Sequence, residues 1–599
     1  GVLECVWPGQ AFLDRSIVVG QTLLVSGPVR FYHGRQMAPR EFVILADSDS
    51  EPEPLAGGKV LPVYPATEGL SHKVIRTLVD RHLDGLIAAS TDVMPDAVRG
   101  PLGLPSLPDA LLAVHRPATA AEAELGRRRL AFDELLDLQL MLIRARTVAK
   151  RSRSGVAFTI RRDLTTRLRQ SLPWTLTDDQ QRALREITGD MTAPERMHRL
   201  LMGDVGTGKT IVALFAMLLA VENDFQAALM APTELLAEQH AATLQRLLDP
   251  LSLRPALLLG RQSGGEKQAI RGQLASGQAR LVVGTHALMQ ESVSFHRLGL
   301  VVIDEQHRFG VEQRAALIGK GAAPDVLLLT ATPIPRSLAL TLYGDLDVST
   351  LRERPPGRGT IRTALRTGGQ RDRVLEFIRA EAAKGRQAYV VLPVIEESER
   401  ADLRAASTMA QSLAARWPEL EVGLVHGRLK PEERDDVMRR FRSGELHVLV
   451  ATTVIEVGID VPNATIMLVE HPERFGLAQL HQLRGRIGRG AEESFCILLS
   501  EGEPPDRLHA FAATQDGFRI AEFDLAERGM GDLIGARQSG GVEVRHARLP
   551  DDEDLLARAR QLATELIAAD PALQRAENQR LRERAVARYP RAVELFRVG

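Results

Sequence analysis

One stretch of eight residues combines glycine, lysine and threonine at a spacing that can hold a phosphate chain. It runs from Gly203 to Thr210 in the pattern Gly-x-x-x-x-Gly-Lys-Thr. Glycines let backbone N–H groups turn inward around phosphate oxygens. Lys209 can reach the β- and γ-phosphates, and the Thr210 hydroxyl can ligate Mg²⁺. The stretch therefore predicts a site for a nucleoside triphosphate with Mg²⁺.

The flanking residues support this prediction. An apolar run at 200–202 precedes the loop and an apolar helical pattern at 211–219 follows it. A strand, a glycine-rich turn and a helix in this order place the helix N-terminus against the phosphates. The predicted nucleotide-binding residues of the loop are Gly203, Asp204, Val205, Gly206, Thr207, Gly208, Lys209 and Thr210.

A second candidate position combines two carboxylates at the end of an apolar run. Residues 300–303 are Leu-Val-Val-Ile, and Asp304 and Glu305 follow directly. A carboxylate at the C-terminal end of a buried strand holds Mg²⁺ in phosphate-loop enzymes, so Asp304 is predicted to take that role. Glu305 is then placed to orient and deprotonate the attacking water as a general base.

Length and composition limit the classes of protein that can carry these sites. The chain has 599 residues, so about 150 residues per domain suggests about four domains. Its formal net charge is −1, so contact with nucleic acid must come from local patches. Cys5 and Cys496 offer neither a disulfide framework nor a metal quartet, which favours a reducing cytosol. No apolar run approaches the roughly 18 residues of a membrane span. The chain begins at Gly1 without Met, and we expect an N-terminal truncation.

The order of apolar segments predicts an α/β protein with two parallel sheets. Strand-like runs alternate with helical ones from residue 176 to residue 329 and again from residue 388 to residue 469. The predicted strands are 200–202, 227–230, 281–283, 300–303 and 326–329, followed by 388–391, 422–425, 448–450 and 466–469. The second half has no phosphate loop of its own. A long amphipathic helix is predicted from Arg127 to about Ser152. The basic cluster at residues 127–129 is predicted to be a solvated face of this helix and not a ligand site.

The first residues have a different pattern. Short apolar runs at 22–25, 29–32 and 42–45 are separated by turn residues, which is typical of a small β-barrel. Phe31 and Tyr32 lie beside Arg35, and aromatic rings near arginines suit base stacking and phosphate contact. An equally weighted alternative places one ring in the core and leaves the other as a lone surface aromatic.

These motifs together resemble those of superfamily 2 helicases. The resemblance adds Gln180 to the nucleotide site, and it places Arg486 and Arg489 as arginine fingers across a cleft from the phosphate loop. It implies DNA-backbone contacts at Thr233, Thr285, His286, Thr452 and Thr453. Residues that couple nucleotide state to nucleic-acid grip are implied at His307, Thr330, Thr332 and Gln482.

The resemblance narrows to the RecG family of bacterial ATP-dependent branch-migration helicases. It rests on residues 203–206, 231–240, 304–310, 333–336, 423–428 and 479–486, and on a C-terminal stretch at 528–540 like that family's translocation motif. Arg528 and Gln538 are its implied coupling residues. The implied domains are an OB-fold wedge at 1–54, a linker and helical segment at 55–165, RecA-like lobes at 166–362 and 363–503, and translocation and C-terminal helices at 504–599.

The family resemblance implies a function and its partners. ATP and Mg²⁺ would drive double-stranded DNA past the lobes and against the wedge, which regresses forks and migrates junctions. The implied partners are branched DNA and single-stranded DNA-binding protein, with no membrane contact, a monomeric state and a location in the bacterial cytoplasm near the nucleoid. Three alternatives stay open at this point: a transcription-repair coupling factor, a nucleotide-gated DNA clamp without unwinding activity, and an enzyme that unwinds RNA.

Overall fold

The computed structural model describes 20 stretches of the chain, and these residues fall into two compact units, residues 1–129 and residues 130–599. The described residues are 4–7, 17–27, 29–31, 35–37, 39, 41–46, 60, 62–65, 70, 72–152, 155–306, 309–332, 346–355, 359–393, 399–452, 461–488, 490, 492–535, 544–549 and 551–589. Within them, no helix has both the length and the hydropathy to cross a bilayer.

Short strands open the first unit. They are β1 (Glu4–Cys5), β2 (Thr22–Ser26), β3 (Val29–Phe31), β4 (Arg35–Met37) and β5 (Glu41–Ala46). Strands β1, β4 and β3 form one small sheet in that order, and β2 pairs with β5 in antiparallel register. The sequence predicts β2, β3 and β5, while β1 and β4 are additional. The OB-fold assignment of residues 1–54 stays a prediction.

Helices complete the first unit and continue into the second. They are α1 (His72–Ala89), α2 (Asp96–Arg99), α3 (Leu107–His115) and α4 (Ala120–Ser152). Helix α4 begins seven residues before the predicted Arg127, because the Thr119 hydroxyl accepts a hydrogen bond from Glu122 N–H at the N-terminus.

Arg129 corrects the prediction of a solvated basic face at the start of α4. Its side chain is fully buried and its guanidinium donates to both carboxylate oxygens of Asp92, at 2.9 and 2.7 Å. Burial opposes ionisation of this carboxyl, but the hydrogen bonds and the charge of Arg129 lower the pKa of Asp92 to about 2. Arg129 therefore forms a structural ion pair with Asp92 within the first unit.

A seven-stranded parallel sheet forms the first half of the second unit. Its strands are β6 (His198–Gly203), β7 (Gln226–Met230), β8 (Ala256–Leu258), β9 (Leu281–Gly284), β10 (Leu298–Ile303), β11 (Asp325–Thr330) and β12 (Asp347–Leu351). The order is β12-β6-β11-β10-β7-β9-β8, so the carboxyl ends of β6, β11 and β10 are neighbours. Ligands gather at such an edge of a parallel sheet. The helices are α5 (Leu164–Ser171), α6 (Asp178–Met191), α7 (Lys209–Glu222), α8 (Glu234–Leu248), α9 (Gly264–Ala275) and α10 (Val311–Ile318).

A six-stranded parallel sheet forms the next part. Its strands are β13 (Ile361–Thr367), β14 (Gln387–Val391), β15 (Val422–Val425), β16 (Val448–Ala451), β17 (Ala464–Glu470) and β18 (Ser494–Ser500). The order is β13-β18-β17-β14-β16-β15. Strand β13 begins two residues before the predicted start of this lobe at 363. The helices are α11 (Arg371–Ala382), α12 (Glu399–Arg416), α13 (Pro431–Arg442) and α14 (Leu477–Arg484). The predicted pair of tandem parallel-sheet lobes is confirmed.

Among the described residues after the second sheet there are four helices. They are α15 (Asp506–Ala513), α16 (Gly517–Gly535), α17 (Glu553–Ala569) and α18 (Ala576–Arg588). The end of the chain packs against the second half of α4, where Leu138, Met141 and Leu142 form an apolar cluster with Ala585 and Tyr589.

Two acidic side chains of α4 fasten this contact. The Glu134 carboxylate accepts hydrogen bonds from three consecutive backbone N–H groups, those of residues 545–547, at 2.7, 2.8 and 3.0 Å. Asp137 is fully buried and pairs with Arg584 at 2.9 Å and with Arg588 at 2.8 Å. Partners more than 400 positions apart in sequence therefore hold the chain end in place.

Candidate functional site

The glycine-rich loop has the backbone that a phosphate cradle needs. Strand β6 ends at Gly203, and α7 begins at Lys209. Gly206 and Gly208 have φ angles of 79° and 83°, a region that glycine adopts without a steric cost. The loop thus turns the first N–H groups of α7 toward the carboxyl edge of the sheet, where the helix dipole favours an anion.

Gln180 supports the loop from α6. Its backbone and side chain form a capping box with Thr177, and its Nε2 donates to the Thr207 carbonyl at 2.8 Å. A Cβ atom at Gly208 would lie 2.3 Å from this Nε2, so the close approach requires glycine. Gln180 therefore contacts the phosphate loop directly, and its predicted part in nucleotide binding stays a prediction.

Lys209 folds back onto its own loop. Its Nζ donates to the carbonyl oxygens of Gly203 at 2.8 Å and Asp204 at 3.1 Å. A lysine that reaches the phosphates has to exchange these contacts for phosphate oxygens. Thr210 follows it in the first turn of α7.

The two predicted acidic residues lie at the end of β10, and their surroundings set their protonation in opposite directions. Burial disfavours both charges. The hydrogen bond from His240 and the charges of His240 and Lys209 nevertheless hold the pKa of Asp304 below its usual range. Burial and the Asp304 charge raise the pKa of Glu305. An ionised Asp304 suits a cation, and a Glu305 with a raised pKa suits a general base.

Glu305 also has an uncommon backbone conformation. Its φ angle is 49°, in the left-handed region that non-glycine residues rarely occupy. Strain of this kind costs on the order of 1–3 kcal/mol and clusters at functional sites. The turn is fixed by Asp304, whose N–H donates to the Met230 carbonyl and whose Oδ1 accepts from Glu305 N–H.

His240 was not predicted as a site residue. It lies on α8 and its Nε2 donates to Asp304 Oδ2 at 2.8 Å. It is seven residues, or about two helical turns, beyond Thr233, which caps the same helix. The spacing was visible in the sequence, but its partner lies 64 positions away.

The second lobe brings Arg486 to the first. Helix α14 ends at Arg484, so Arg486 lies in the turn after it rather than on a helical face. Arg486 is buried, and its charge acts to lower the pKa of Glu305. A Cβ atom at Gly485 would lie 3.0 Å from Val205 of the phosphate loop. The arginine thus stands close to the carboxylates and across the cleft from the phosphate loop.

Two predicted coupling residues also meet across the lobes. Gln482 of α14 donates through Nε2 to the Thr332 hydroxyl at 2.8 Å. Thr332 N–H in turn donates to the hydroxyl of Thr330, at the end of β11. This pair connects the second lobe to the strand next to β6.

Asp204 carries a third connection between the lobes. Its Oδ1 accepts from His481 Nε2 at 2.7 Å, and its Oδ2 accepts from Arg354 at 2.6 Å. Burial of this carboxyl would raise its pKa, but the hydrogen bond from His481 and the charge and hydrogen bond of Arg354 hold the pKa of Asp204 well below its usual range. Neither His481 nor Arg354 was predicted, because each partner lies at least 150 positions from Asp204.

The predicted DNA-contacting residues differ in exposure. The Thr233 hydroxyl accepts from Leu236 N–H and is half-buried, while the His286 side chain is exposed. Thr285 and Thr452 are buried. In the first unit, Phe31 and Arg35 are paired across β3 and β4 by backbone register.

Five of the predicted site residues lie outside the described part of the chain. They are Tyr32, His307, Thr453, Arg489 and Gln538. Arg528 lies on α16. The roles of these residues stay predictions from the sequence.

Family models match most of the second unit. Residues 177–341 match the DEAD/DEAH box helicase family, and residues 369–491 match the helicase conserved C-terminal domain. Residues 514–589 match the C-terminal part of domain 3 of the ATP-dependent DNA helicase RecG.

Curated relatives and a solved structure give the same result. The chain is 47% identical to the ATP-dependent DNA helicase RecG of Synechocystis sp., over 86% of this chain and 63% of the relative. The chain is 44% identical to the RecG protein of Bacillus subtilis, over 85% of this chain and 75% of the relative. It is also 44% identical to the RecG protein of Thermotoga maritima, over 94% of this chain and 72% of the relative. The chain thus spans just under two thirds of the Synechocystis protein. A structure of RecG bound to a three-way DNA junction is 40% identical, with a TM-score of 0.70 over 92% of this chain and 73% of that chain.

Proposed function

The chain belongs to the RecG family of ATP-dependent DNA helicases. From this premise we propose that it translocates along double-stranded DNA and thereby remodels branched junctions. Fork regression and branch migration in recombination and repair are the proposed outcomes. A single observation carries the proposal. The candidate nucleotide site is divided between two lobes, with the phosphate loop and two carboxylates on one and Arg486 on the other.

A divided site couples hydrolysis to motion. ATP bound at Lys209 and Thr210 would draw Arg486 and Arg489 toward its phosphates and so close the cleft. Hydrolysis removes the bridging phosphate, and the lobes separate again. Repeated closure moves a duplex held across both lobes, and a wedge at residues 1–54 would part the arms.

The residues at the carboxyl edge of the sheet fit Mg²⁺. Asp304 is held in its charged form, and Thr210 supplies a hydroxyl at the start of α7. When bound, Mg²⁺ neutralises developing charge on the phosphates. Among the described residues no group of three or more His, Cys, Asp or Glu could hold a metal ion. The proposed site therefore relies on phosphate oxygens as further ligands.

The remaining partners follow from the proposed substrate. Branched DNA would contact the motor through Thr233, the exposed His286 and neighbouring backbone amides, which suits phosphates and does not read bases. Single-stranded DNA-binding protein, a monomeric state and a place at the bacterial nucleoid are proposed from the family resemblance.

One experiment tests the proposed function directly. ATPase rates are compared with forked, four-way, linear duplex and single-stranded DNA, and with duplex RNA, at matched nucleotide concentration. Salt is held constant because phosphate-driven binding depends steeply on it. We expect the branched DNAs to stimulate most and to be converted to regressed or migrated products. Equal stimulation by RNA, or nucleotide-dependent DNA binding without strand displacement, would contradict the proposal.

The proposed wedge gives a separate prediction. If Phe31 and Tyr32 stack on bases where the arms part, loss of each stacked ring costs about 1–3 kcal/mol of binding. We expect F31A/Y32A to bind forks at least tenfold more weakly and to unwind them poorly. The ATPase rate without DNA should stay unchanged. Fork affinity equal to wild type in a folded double variant would assign these rings to a structural role.

The segment after the second lobe gives another prediction. We propose that Arg528 and Gln538 convert lobe closure into a pull on duplex DNA. Helix α16, which carries Arg528, contacts α14 through the hydrogen bond from Leu477 N–H to Asp524 at 3.3 Å. We expect R528A and Q538A to retain most DNA-stimulated ATPase activity and to lose most branch migration. Parallel loss of both rates would indicate a structural cap instead.

A further inference from the structure

Both oxygens of the Asp204 carboxylate accept hydrogen bonds. Each bond begins a chain of contacts, here called a path, that leads away from the phosphate loop. Oδ1 accepts from His481 on α14, and Oδ2 accepts from Arg354 in the connection between the two sheets. Asp204 is 5% exposed and His481 2%. Pairs this deeply buried are costly to break on one side only, because the partner's charge or polar group is left without compensation.

The first path runs through α14. The Nδ1 of His481 accepts a hydrogen bond from the Arg484 guanidinium at 3.1 Å, so Nε2 carries the proton that is donated to Asp204. Arg484 is itself buried and donates to the carbonyls of Phe511 at 3.2 Å and Thr514 at 2.8 Å. Its guanidinium also lies 4.2 Å from the centre of the Phe511 ring.

The second path is shorter. Arg354 Nη2, which donates to Asp204, also donates to the Gln515 carbonyl at 3.2 Å. The side chain of Gln515 returns to the Ile361 carbonyl at 2.7 Å, at the first residue of β13. Both paths therefore end within residues 511–515, directly before α16 begins at Gly517.

The contacts of the Asp204 carbonyl indicate how nucleotide would act on the loop end of these paths. The Asp204 carbonyl accepts from Lys209 Nζ, and also from the backbone N–H and hydroxyl of Thr207. Phosphates that attract Lys209 would remove one of these donors and so shift the peptide that carries the Asp204 side chain.

We infer that Asp204 reports nucleotide occupancy to the start of α16, through Arg354 directly and through His481 and Arg484 in parallel. This inference rests on the proposed function in that nucleotide binding at the loop is its input. It makes Arg354 and His481 positioning residues, which act through the Asp204 carboxylate. It also gives the translocation segment a connection to the phosphate loop that does not require the arginine fingers.

Hydrogen exchange of the purified full chain tests the relay without any DNA. Amide exchange is followed in peptides covering residues 514–527, with and without a saturating non-hydrolysable ATP analogue and Mg²⁺. In wild type we expect nucleotide to change exchange there at least twofold. In R354M, which removes the bridging donor but keeps the side-chain length, we expect less than half of that change. R354K retains a charged group with several donors and should respond as wild type does.

A matched control separates the relay from the loss of any partly exposed arginine that pairs with a buried carboxylate. Arg371 pairs with Glu470 in the second lobe, with side-chain exposures of 40% and 9%, against 34% and 6% for Arg354 and Asp204. R371M should leave the response at 514–527 intact. The affinity of every variant for a fluorescent ATP analogue is measured, so that the nucleotide concentration can be set to give each variant the same occupancy in the exchange experiment.

Three outcomes overturn the relay. They are an unchanged exchange rate at 514–527 in wild type, a full response in R354M, and an equal loss in R371M. D204N provides a second variant, because it removes the charge that both paths share and should reduce the response further than R354M does. Failure of wild type to migrate branches would reject the proposed function, whereas this assay would still decide the relay.

Discussion

Lys209→Ala should remove most ATP turnover while DNA affinity stays within a few-fold of wild type. The cation serves the phosphates, and in this structure its Nζ donates to the Gly203 and Asp204 carbonyls of its own loop. Loss of one preorganised donor costs on the order of 10²–10³ in kcat. Steady-state ATPase and fork-binding titrations measure the two quantities separately. A near-normal kcat would mean that the phosphate site lies elsewhere.

Glu305→Gln tests the adjacent chemical step. The amide cannot accept a proton, so we expect ATP to bind and kcat to fall by about 10²–10⁴. Burial raises the pKa of Glu305, and the base works only when ionised. Wild-type turnover should therefore decline as the pH falls through this raised pKa, and the decline should vanish in the residual activity of E305Q. An unaltered acidic limb in E305Q would exclude Glu305 as the base.

Arg486→Ala should have an effect at least as large. An arginine that stabilises phosphoryl transfer contributes on the order of 10³–10⁵ in kcat. We expect nucleotide affinity to change far less, because the charge matters most as the transition state forms. Single-turnover hydrolysis at saturating ATP isolates this step.

Controls for Arg486 need to separate chemistry from folding, because the side chain is buried. R486K keeps a positive charge in the same place and should fold while it restores only part of the rate. R379A removes a surface arginine of the same lobe that pairs with Glu419, and its rate should match wild type. A kcat for R486A within tenfold of wild type would exclude the arginine-finger role.

The sequence predicted the central strands of both sheets because buried parallel strands are apolar on both faces. The strands it did not predict are mostly at sheet edges. Strands β8, β12 and β13 each end a sheet, and β12 and β13 carry polar or charged residues between apolar ones. An edge strand is covered less completely, so the composition of β12 and β13 resembles that of a loop, whereas β8 is apolar but only three residues long. Strand β18 is the exception, since it is central and apolar and its pattern is sufficient to predict it.

The residues of the candidate site also fall into those that the sequence predicted and those that it did not. Local motifs indicated Lys209, Asp304 and Glu305 because the loop and the strand ends are short and contiguous. His481 and Arg354 meet Asp204 only after the two sheets have assembled, across 277 and 150 positions. No periodicity encodes such a pairing. A histidine on a short helix of mixed composition and an arginine in a connecting loop each have ordinary explanations when seen alone.

The contact between α4 and the end of the chain has a consequence for synthesis. A ribosome makes α4 long before it makes α17 and α18, and domains generally fold as they emerge. Until residue 589 is available, Leu138, Met141 and Asp137 lack the partners that cover them in the finished protein. The nascent chain must therefore carry an apolar and acidic helix face uncovered through the synthesis of both lobes. Helix α18 therefore covers this face of α4 only late in synthesis, and a chain that stops before α18 would leave the face uncovered.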